Sequence, residues 1–106
     1  MSGKDEFLVV YCTAPPEEAD ALARTLVEER LAACVNIAPV RSCYIWEGML
    51  NLDPEALLII KTTREGFEPL KKRIAELHSY AVPEIIALPI AEGHQPYLDW
   101  VGRSVG

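Results

Sequence analysis

The hydrophobic pattern alternates between short apolar runs and segments with helical spacing. The runs are rich in β-branched, aromatic and aliphatic side chains, which predicts four strands at residues 7–12, 33–46, 56–63 and 84–90. Between them, apolar residues recur every three or four positions, which predicts two amphipathic helices over residues 16–31 and 67–77. Pro96 opens a third, short helix. The predicted order is βαββαβ followed by a helix.

This order is that of an α+β, ferredoxin-like sandwich with an extra C-terminal helix. Its second strand contains Pro39 and would extend about 46 Å, far more than the roughly 13 Å radius of gyration of a 100-residue globule. We therefore expect a long bent β-hairpin whose turn region covers residues 47–54. The inward-facing phase shifts from Val35 and Ile37 to Val40 and Tyr44, which predicts a bulge or bend on an edge strand.

Apolar side chains on both faces of the strands predict an oligomer. Two helices cover only one face of such a sheet. If the other face met water, apolar and polar residues should alternate along each strand. The runs at residues 7–12, 57–60 and 85–88 do not alternate. We expect a homo-oligomer in which the hairpin and the second sheet face are buried between subunits.

Length and charge narrow the classes of function. The 106 residues predict one domain at residues 6–106 after a flexible polar head at residues 1–5. A net charge of −6 disfavours nucleic acid as a partner, and no apolar run reaches the roughly 18 residues of a membrane span. Three isolated cysteines indicate a reducing, cytoplasmic location. Common nucleotide-binding, zinc-protease and serine-hydrolase motifs are absent.

Several short motifs together resemble the CutA family of divalent-cation tolerance proteins. They occur in unbroken order from about residue 8 to residue 100 and are Cys-Thr-Ala-Pro at 12–15, Leu-Ala-Ala-Cys-Val-Asn at 31–36, Tyr-Ile-Trp-Glu-Gly at 44–48, Ile-Lys-Thr-Thr at 60–63, His-Ser-Tyr-Ala-Val-Pro-Glu at 78–84, Ala-Leu-Pro at 87–89 and Pro-Tyr-Leu-Asp-Trp at 96–100. The resemblance implies a ferredoxin-like homotrimer similar in shape to the PII signalling proteins. It also implies a non-catalytic role in divalent-cation tolerance with copper or another divalent metal as the bound ion, and no organic cofactor is predicted.

A candidate metal site comprises Cys12, His78 and Glu84. In a ferredoxin-like sheet the end of the first strand lies beside the start of the fourth, so thiolate, imidazole and carboxylate can converge there and suit copper or zinc. Against this, Cys12 ends an apolar strand and can be a packing residue. His78 lies at a helix C-terminus, where it can serve only to interact favourably with the helix dipole. Some family members have two adjacent histidines where this chain has Leu77 and His78, so either His78 replaces the first histidine or the site lacks its nitrogen ligand.

A second candidate site is a cleft between subunits, with predicted lining residues Trp46, Glu47, Lys61, Tyr80 and Trp100. The alternative function is thus a PII-like signalling or adaptor trimer that binds a small anionic ligand through lysine and aromatic side chains. Interface packing explains the two tryptophans equally well. An enzyme using Lys61, Tyr80 and Glu84 as acid–base groups ranks last, because no nucleophile–base pair is evident.

Overall fold

Seven elements form the fold in the predicted order. The computed structural model describes residues 6–106, so the predicted head at residues 1–5 lies outside the described residues. The elements are β1 (Phe7–Ala14), α1 (Pro16–Glu28), β2 (Cys34–Trp46), β3 (Met49–Thr63), α2 (Phe67–Leu77), β4 (Ile86–Pro89) and α3 (Gln95–Ser104). None of these helices is long and apolar enough to cross a membrane.

The four strands form one antiparallel sheet in the order β2-β3-β1-β4. This confirms the ferredoxin-like arrangement, in which β1 and β4 are neighbours and β2 and β4 are the two edges. Along β1 the burial alternates, because successive strand side chains point to opposite faces. Leu8, Val10, Cys12 and Ala14 are the buried set.

The core lies between one face of the sheet and the helices α1 and α2. Its members are the alternate buried residues of β1 and β3 together with the apolar stripes of the helices, including Leu26, Leu58, Ile60, Leu70 and Ile74. The regular helical spacing in the sequence therefore identified the faces that are buried. A bidentate ion pair from the Arg73 guanidinium to the Glu29 carboxylate, with both N···O distances 2.9 Å, joins α2 to the end of α1.

The hairpin differs from the prediction in its turn and in its register. The turn consists of Glu47 and Gly48 alone, and β3 resumes at Met49 rather than near residue 56. Both turn residues have positive φ, 52° and 81°, as two-residue hairpin turns matched to strand twist require. Pairing then runs without interruption from Trp46↔Met49 to Cys34↔Lys61, so of the predicted bulge or bend the bulge is wrong. Pro39 is accommodated because β2 is an edge strand, as predicted.

Two element ends also differ from the prediction. Helix α1 ends at Glu28 instead of continuing to Leu31, because Arg30 takes a left-handed φ of 59° that stops the helix. Leu31 still packs against the core from outside the helix. Strand β4 begins at Ile86, so Glu84 lies in the loop before it.

The hairpin projects from the sandwich and carries its apolar residues into solvent. The molecule measures 46 × 25 × 21 Å, and the exposed apolar hairpin residues are Tyr44, Ile45, Trp46, Met49, Leu50 and Leu52. Ile45 and Leu50 are each 71% exposed. Ile86 and Leu88 of the other edge strand are exposed as well. A single chain therefore leaves much of its apolar surface unburied.

Candidate functional site

The Cys12 thiol is buried in the core and is not positioned as a metal ligand. Its side chain is 0% exposed, and its Sγ lies 3.7 Å from the Thr13 carbonyl oxygen. Burial, with a smaller effect from the charges of Glu84 and Glu55, raises the pKa of this thiol from 9.0 to about 12. Because a metal must displace the thiol proton, the raised pKa and the burial both make Cys12 a poorer ligand than an exposed cysteine.

His78 directly follows α2, and both of its ring nitrogens have protein partners. Nε2 donates to the carbonyl oxygen of Thr13 at 2.8 Å, and Nδ1 accepts the backbone N–H of Tyr80 at 3.0 Å. The ring is therefore neutral with its proton on Nε2, since a carbonyl oxygen can only accept. The imidazole fastens the loop after α2 to the end of β1, and a metal at Nε2 would have to replace the bond to Thr13.

Glu84 meets β1 at Thr13 and not at Cys12. The Thr13 hydroxyl donates to Glu84 Oε1 at 3.4 Å, and the Glu84 side chain is otherwise exposed. His78 and Glu84 are thus brought together around one residue, while the third predicted ligand points into the core. Within residues 6–106 no group of three or more histidine, cysteine or acidic side chains is arranged to hold a metal ion. The predicted triad does not fit a metal in this arrangement.

A cleft of about 640 Å³ opens beside the same loop, at the base of the hairpin. Its lining includes Thr13, Tyr44, Trp46, Glu55, Tyr80 and Glu84. We call this feature the acidic cleft, because two of these residues are carboxylates. Its volume lies within the range of small-molecule sites.

Glu55 and Tyr80 form the best-defined contact of the acidic cleft. The Tyr80 hydroxyl donates to Glu55 Oε2 at 2.6 Å, and Glu55 is only 5% exposed. Burial and this hydrogen bond to the carboxylate both raise the pKa of Tyr80. Similarly, the Tyr44 hydroxyl donates to Asp53 Oδ2 at 3.1 Å, and that bond raises the pKa of Tyr44. Both phenols are therefore neutral hydrogen-bond donors at physiological pH.

Only two of the five residues predicted for a ligand cleft line this one. Trp46 and Tyr80 do so, whereas Glu47 lies in the hairpin turn. The Lys61 ammonium donates to the side-chain oxygen of Asn36 on the neighbouring strand, and the Trp100 ring lies 5.5 Å from that of Tyr97 within α3. One chain does not bring the five together. Nor does it join Lys61 to Tyr80 and Glu84, the set considered for catalysis.

Three residues that line the cleft were not predicted from the sequence, namely Glu55, Thr13 and Tyr44. Glu55 was overlooked because the segment at residues 47–54 was interpreted as a turn, so the adjoining acid was given no strand position. A usable signal was present, since an acidic residue directly before the apolar run at 56–60 is unusual in a strand that becomes buried. Thr13 was not predicted, because the candidate metal site at the end of this strand used the neighbouring Cys12.

Comparisons with known proteins agree on one family. A family model described as CutA1 divalent ion tolerance protein matches residues 8–104. A relative from Thermus thermophilus, named divalent-cation tolerance protein CutA, is 55% identical over 92% of this chain and 97% of its own. The crystal structure of CutA1 from Oryza sativa superposes with a TM-score of 0.93 at 44% identity, covering 99% of this chain and 98% of the other.

A further solved structure relates the fold to that of PII proteins. It is titled a PII-like protein CutA from Nostoc sp. PCC 7120 in apo form, and it superposes with a TM-score of 0.90 at 37% identity. The superposition covers 93% of this chain and 98% of the Nostoc chain. Together with the βαββαβ sandwich and its projecting hairpin, these matches show that the chain belongs to the CutA family of divalent-cation tolerance proteins.

Proposed function

We propose that this protein acts in divalent-cation tolerance as a non-catalytic homotrimer. The names of its relatives support the cation-tolerance role, and the projecting apolar hairpin supports the assembly. We propose no catalytic activity, because the described residues show no nucleophile–base pair that would support one. The free state of Cys12, Cys34 and Cys43 agrees with a cytoplasmic location, which is part of the proposal and is tested by cell fractionation.

The observation that carries the assembly is the exposed apolar surface near two open sheet edges. Ile45 and Leu50 lie on the hairpin, whose strand β2 is unpaired on its outer side, and Ile86 and Leu88 lie on the opposite edge strand. Monomeric proteins avoid long exposed edges with apolar side chains, because such edges pair with other chains. Contact between copies would bury the apolar side chains and cover the open strand edges at the same time.

Sedimentation equilibrium at micromolar concentration tests the assembly. We expect three chains per particle, and dissociation when Leu50 is changed to Glu. The matched variant Glu92→Lys alters charge in a loop remote from the hairpin and should leave the mass unchanged. A monodisperse monomer would contradict the proposal.

We further propose that copper or another divalent cation binds at His78 and Glu84, with Cys12 as a packing residue. Imidazole nitrogen and carboxylate oxygen are suitable donors for copper or zinc, and both groups already approach Thr13. With two protein donors, binding should be weak and should compete with the hydrogen bond from His78 to Thr13.

Titration of the reduced protein with copper and a competing chelator tests this site. Glu84→Gln should weaken binding about tenfold, equivalent to roughly 1.4 kcal/mol. Cys12→Ala should have no effect, because the thiol is buried and protonated. Equal weakening of copper binding by both variants would show that Cys12 is a ligand together with Glu84. Unchanged binding in both would exclude Glu84 as a ligand.

The acidic cleft is the observation that favours the second candidate function, a PII-like trimer that binds a small ligand. An anionic ligand is no longer the preferred occupant, because carboxylates line the cleft within one chain and Lys61 bonds elsewhere. Isothermal titration with inorganic phosphate tests the anion directly, and we expect no heat of binding.

A further inference from the structure

Helix α3 lies on the sheet face opposite α1 and α2. It packs against β1 and β3, where Val101 is fully buried and the Phe7 ring lies 3.6 Å from the position that a Cβ at Gly102 would take. Phe7 belongs to the alternate set of β1 that points away from α1 and α2. Tyr97 and Trp100 of α3 are 40% and 41% exposed. They add aromatic surface to the face that the proposed homotrimer buries.

The C-terminal end of α3 is bound by an arginine from another part of the fold. Arg30 follows α1, and its guanidinium donates from Nη2 to the carbonyl oxygen of Arg103 at 2.7 Å and from Nε to that of Ser104 at 3.2 Å. The last carbonyl groups of a helix have no partner within it, and a cation there also meets the negative end of the helix dipole. Arg30 therefore caps α3 from a different element.

The backbone of Arg30 takes part in the same contact. The Gly106 N–H donates to the Arg30 carbonyl oxygen at 3.0 Å. The φ of 59° at Arg30 is unfavourable for a residue with a Cβ, and such a conformation persists only where the surroundings restrain it. The bonds to residues 103–106 contribute to that restraint, so the turn after α1 and the end of α3 support one another.

Val105 fits against a glycine in the loop before α2. A Cβ at Gly66 would lie 2.8 Å from Val105 Cγ1 and 2.9 Å from Thr62 Oγ1, closer than side chains approach in proteins. Because Gly66 has an ordinary helical backbone with φ −81°, this glycine serves the close approach and not an unusual conformation. We call the contacts of Arg30 and Gly66 with residues 103–106 the α3 latch.

The α3 latch can open while the core stays folded. Arg30, Arg103 and Gly106 are exposed, whereas the core lies between the sheet and the helices α1 and α2. Hydrogen bonds contribute little net stability each, and local opening of a terminal element costs less than global unfolding. Opening and closing of the latch therefore form a local equilibrium.

We propose that the α3 latch is a conformational device that holds α3 on the sheet and thereby controls assembly. With the latch closed, Val101 stays buried, and Tyr97 and Trp100 are fixed at the face between subunits. With the latch open, the C-terminal end of α3 detaches, and this face loses its defined shape. The proposal rests on the proposed homotrimer, because it concerns the face that this assembly buries.

Two measurements on the full chain test the proposal. Hydrogen exchange of the α3 backbone amides measures opening of the latch. The rate at which isotope-labelled and unlabelled subunits mix, followed by native mass spectrometry, measures the assembly. Each variant is prepared in the otherwise unchanged chain and together with Leu50→Glu, which is expected to dissociate the subunits and so separates opening from assembly.

The variants act on the latch from two sides. Arg30→Gly removes the guanidinium and, since glycine adopts a φ of 59° without strain, leaves the turn after α1 intact. Gly66→Ala displaces Val105 instead. Arg73→Gln is the matched control, because it removes an arginine whose bonds go to Glu29 and Glu76 and not to α3.

We expect Arg30→Gly and Gly66→Ala each to speed exchange of the α3 amides about tenfold, as loss of one or two surface hydrogen bonds implies. Exchange in β1 and β3 should stay unchanged, and subunits should mix about tenfold faster. Arg73→Gln should change neither α3 exchange nor mixing. Should Gly66→Ala fail to fold because of its contact with Thr62, Arg30→Gly carries the test.

Three results would overturn the proposal. If α3 exchange is as slow in Arg30→Gly as in the unchanged chain, with and without Leu50→Glu, the bonds do not hold the helix. Faster α3 exchange without faster mixing would show that the latch does not control assembly. A monomeric unchanged chain is a different failure, because it would refute the homotrimer, and with it the control of assembly, before any latch variant is compared.

Discussion

The chemical reactivity of Cys12 decides between its two possible roles. A metal-ligating cysteine needs an accessible thiolate, whereas a packing cysteine stays protonated and unreactive. A chain carrying Cys34→Ser and Cys43→Ser keeps Cys12 as its single thiol. We predict that iodoacetamide modifies this thiol at pH 8 far more slowly in the folded protein than in the unfolded chain.

The magnitude follows from the pKa. Burial raises the pKa of Cys12 from 9.0 to about 12. At pH 8 the thiolate fraction falls from about one in ten in the unfolded chain to about one in ten thousand in the folded state. Reaction through the thiolate should therefore slow about a thousandfold, and complete burial of the side chain slows it further.

The assay is mass spectrometry of the alkylated chain over time, in buffer and in denaturant. A short peptide with one free cysteine is alkylated with iodoacetamide in buffer and in denaturant. Its two rates correct for any effect of the denaturant on the reagent. Modification of native Cys12 within tenfold of the unfolded rate would refute the structural argument, and it would make the three-ligand copper site plausible again.

The same shift has a consequence for stability at high pH. The folded state holds the Cys12 proton more tightly than the unfolded chain does, so its contribution is full below pH 9 and is lost as the pH rises toward 12. Relative to Cys12→Ala, the protein should lose up to about 4 kcal/mol of unfolding free energy across that window. Denaturant titrations of both proteins at matched concentration measure the difference, and parallel curves would contradict it.

Three further predictions concern the scaffold. Leu58→Ala should lower the free energy of unfolding by about 2–5 kcal/mol in urea titrations, because Leu58 is fully buried opposite Cys12. Arg73→Gln should return the lowered pKa of Glu29 toward its ordinary value in an NMR titration, since the guanidinium hydrogen bonds are the main cause; stability due to this pair is present above the ordinary pKa and is lost as the pH falls through the lowered one. Arg30→Ala and Arg30→Gly both remove the hydrogen bonds to the carbonyl oxygens of Arg103 and Ser104, but Gly relieves the left-handed φ and should be more stable by about 1 kcal/mol in the same titrations.

Element order was predictable because each signal is local. The three-to-four spacing of Leu22, Leu26, Leu70 and Ile74 specifies buried helix faces regardless of the rest of the chain. Boundaries were less predictable where one backbone conformation decides them. The left-handed φ of Arg30 ends α1, although arginine is a good helix former and gives no sign of it in the sequence.

The site was harder to predict because it depends on the parity of a strand. Topology correctly placed the end of β1 beside the segment that enters β4, and the pairing of Tyr11 with Ile86, carried two residues further, sets Thr13 opposite Glu84. Successive side chains of a strand point to opposite faces, so a shift of one residue exchanges the core for the cleft. Cys12 consequently faces α1 and α2, and Thr13 receives both His78 and Glu84.

Distance along β3, not parity, explains why the cleft is acidic rather than cationic in a single chain. Lys61 and Glu55 both belong to β3 and are six residues apart, so they share a face but lie about 20 Å apart along the strand. Lys61 bonds to Asn36 at one end of the sheet, while Glu55 bonds to Tyr80 at the base of the hairpin. The predicted ligand cleft grouped a lysine with tyrosine and tryptophan residues, and this grouping did not take the separation into account. Within one chain, the charge at the cleft is therefore set by the distance along β3 between Glu55 and Lys61.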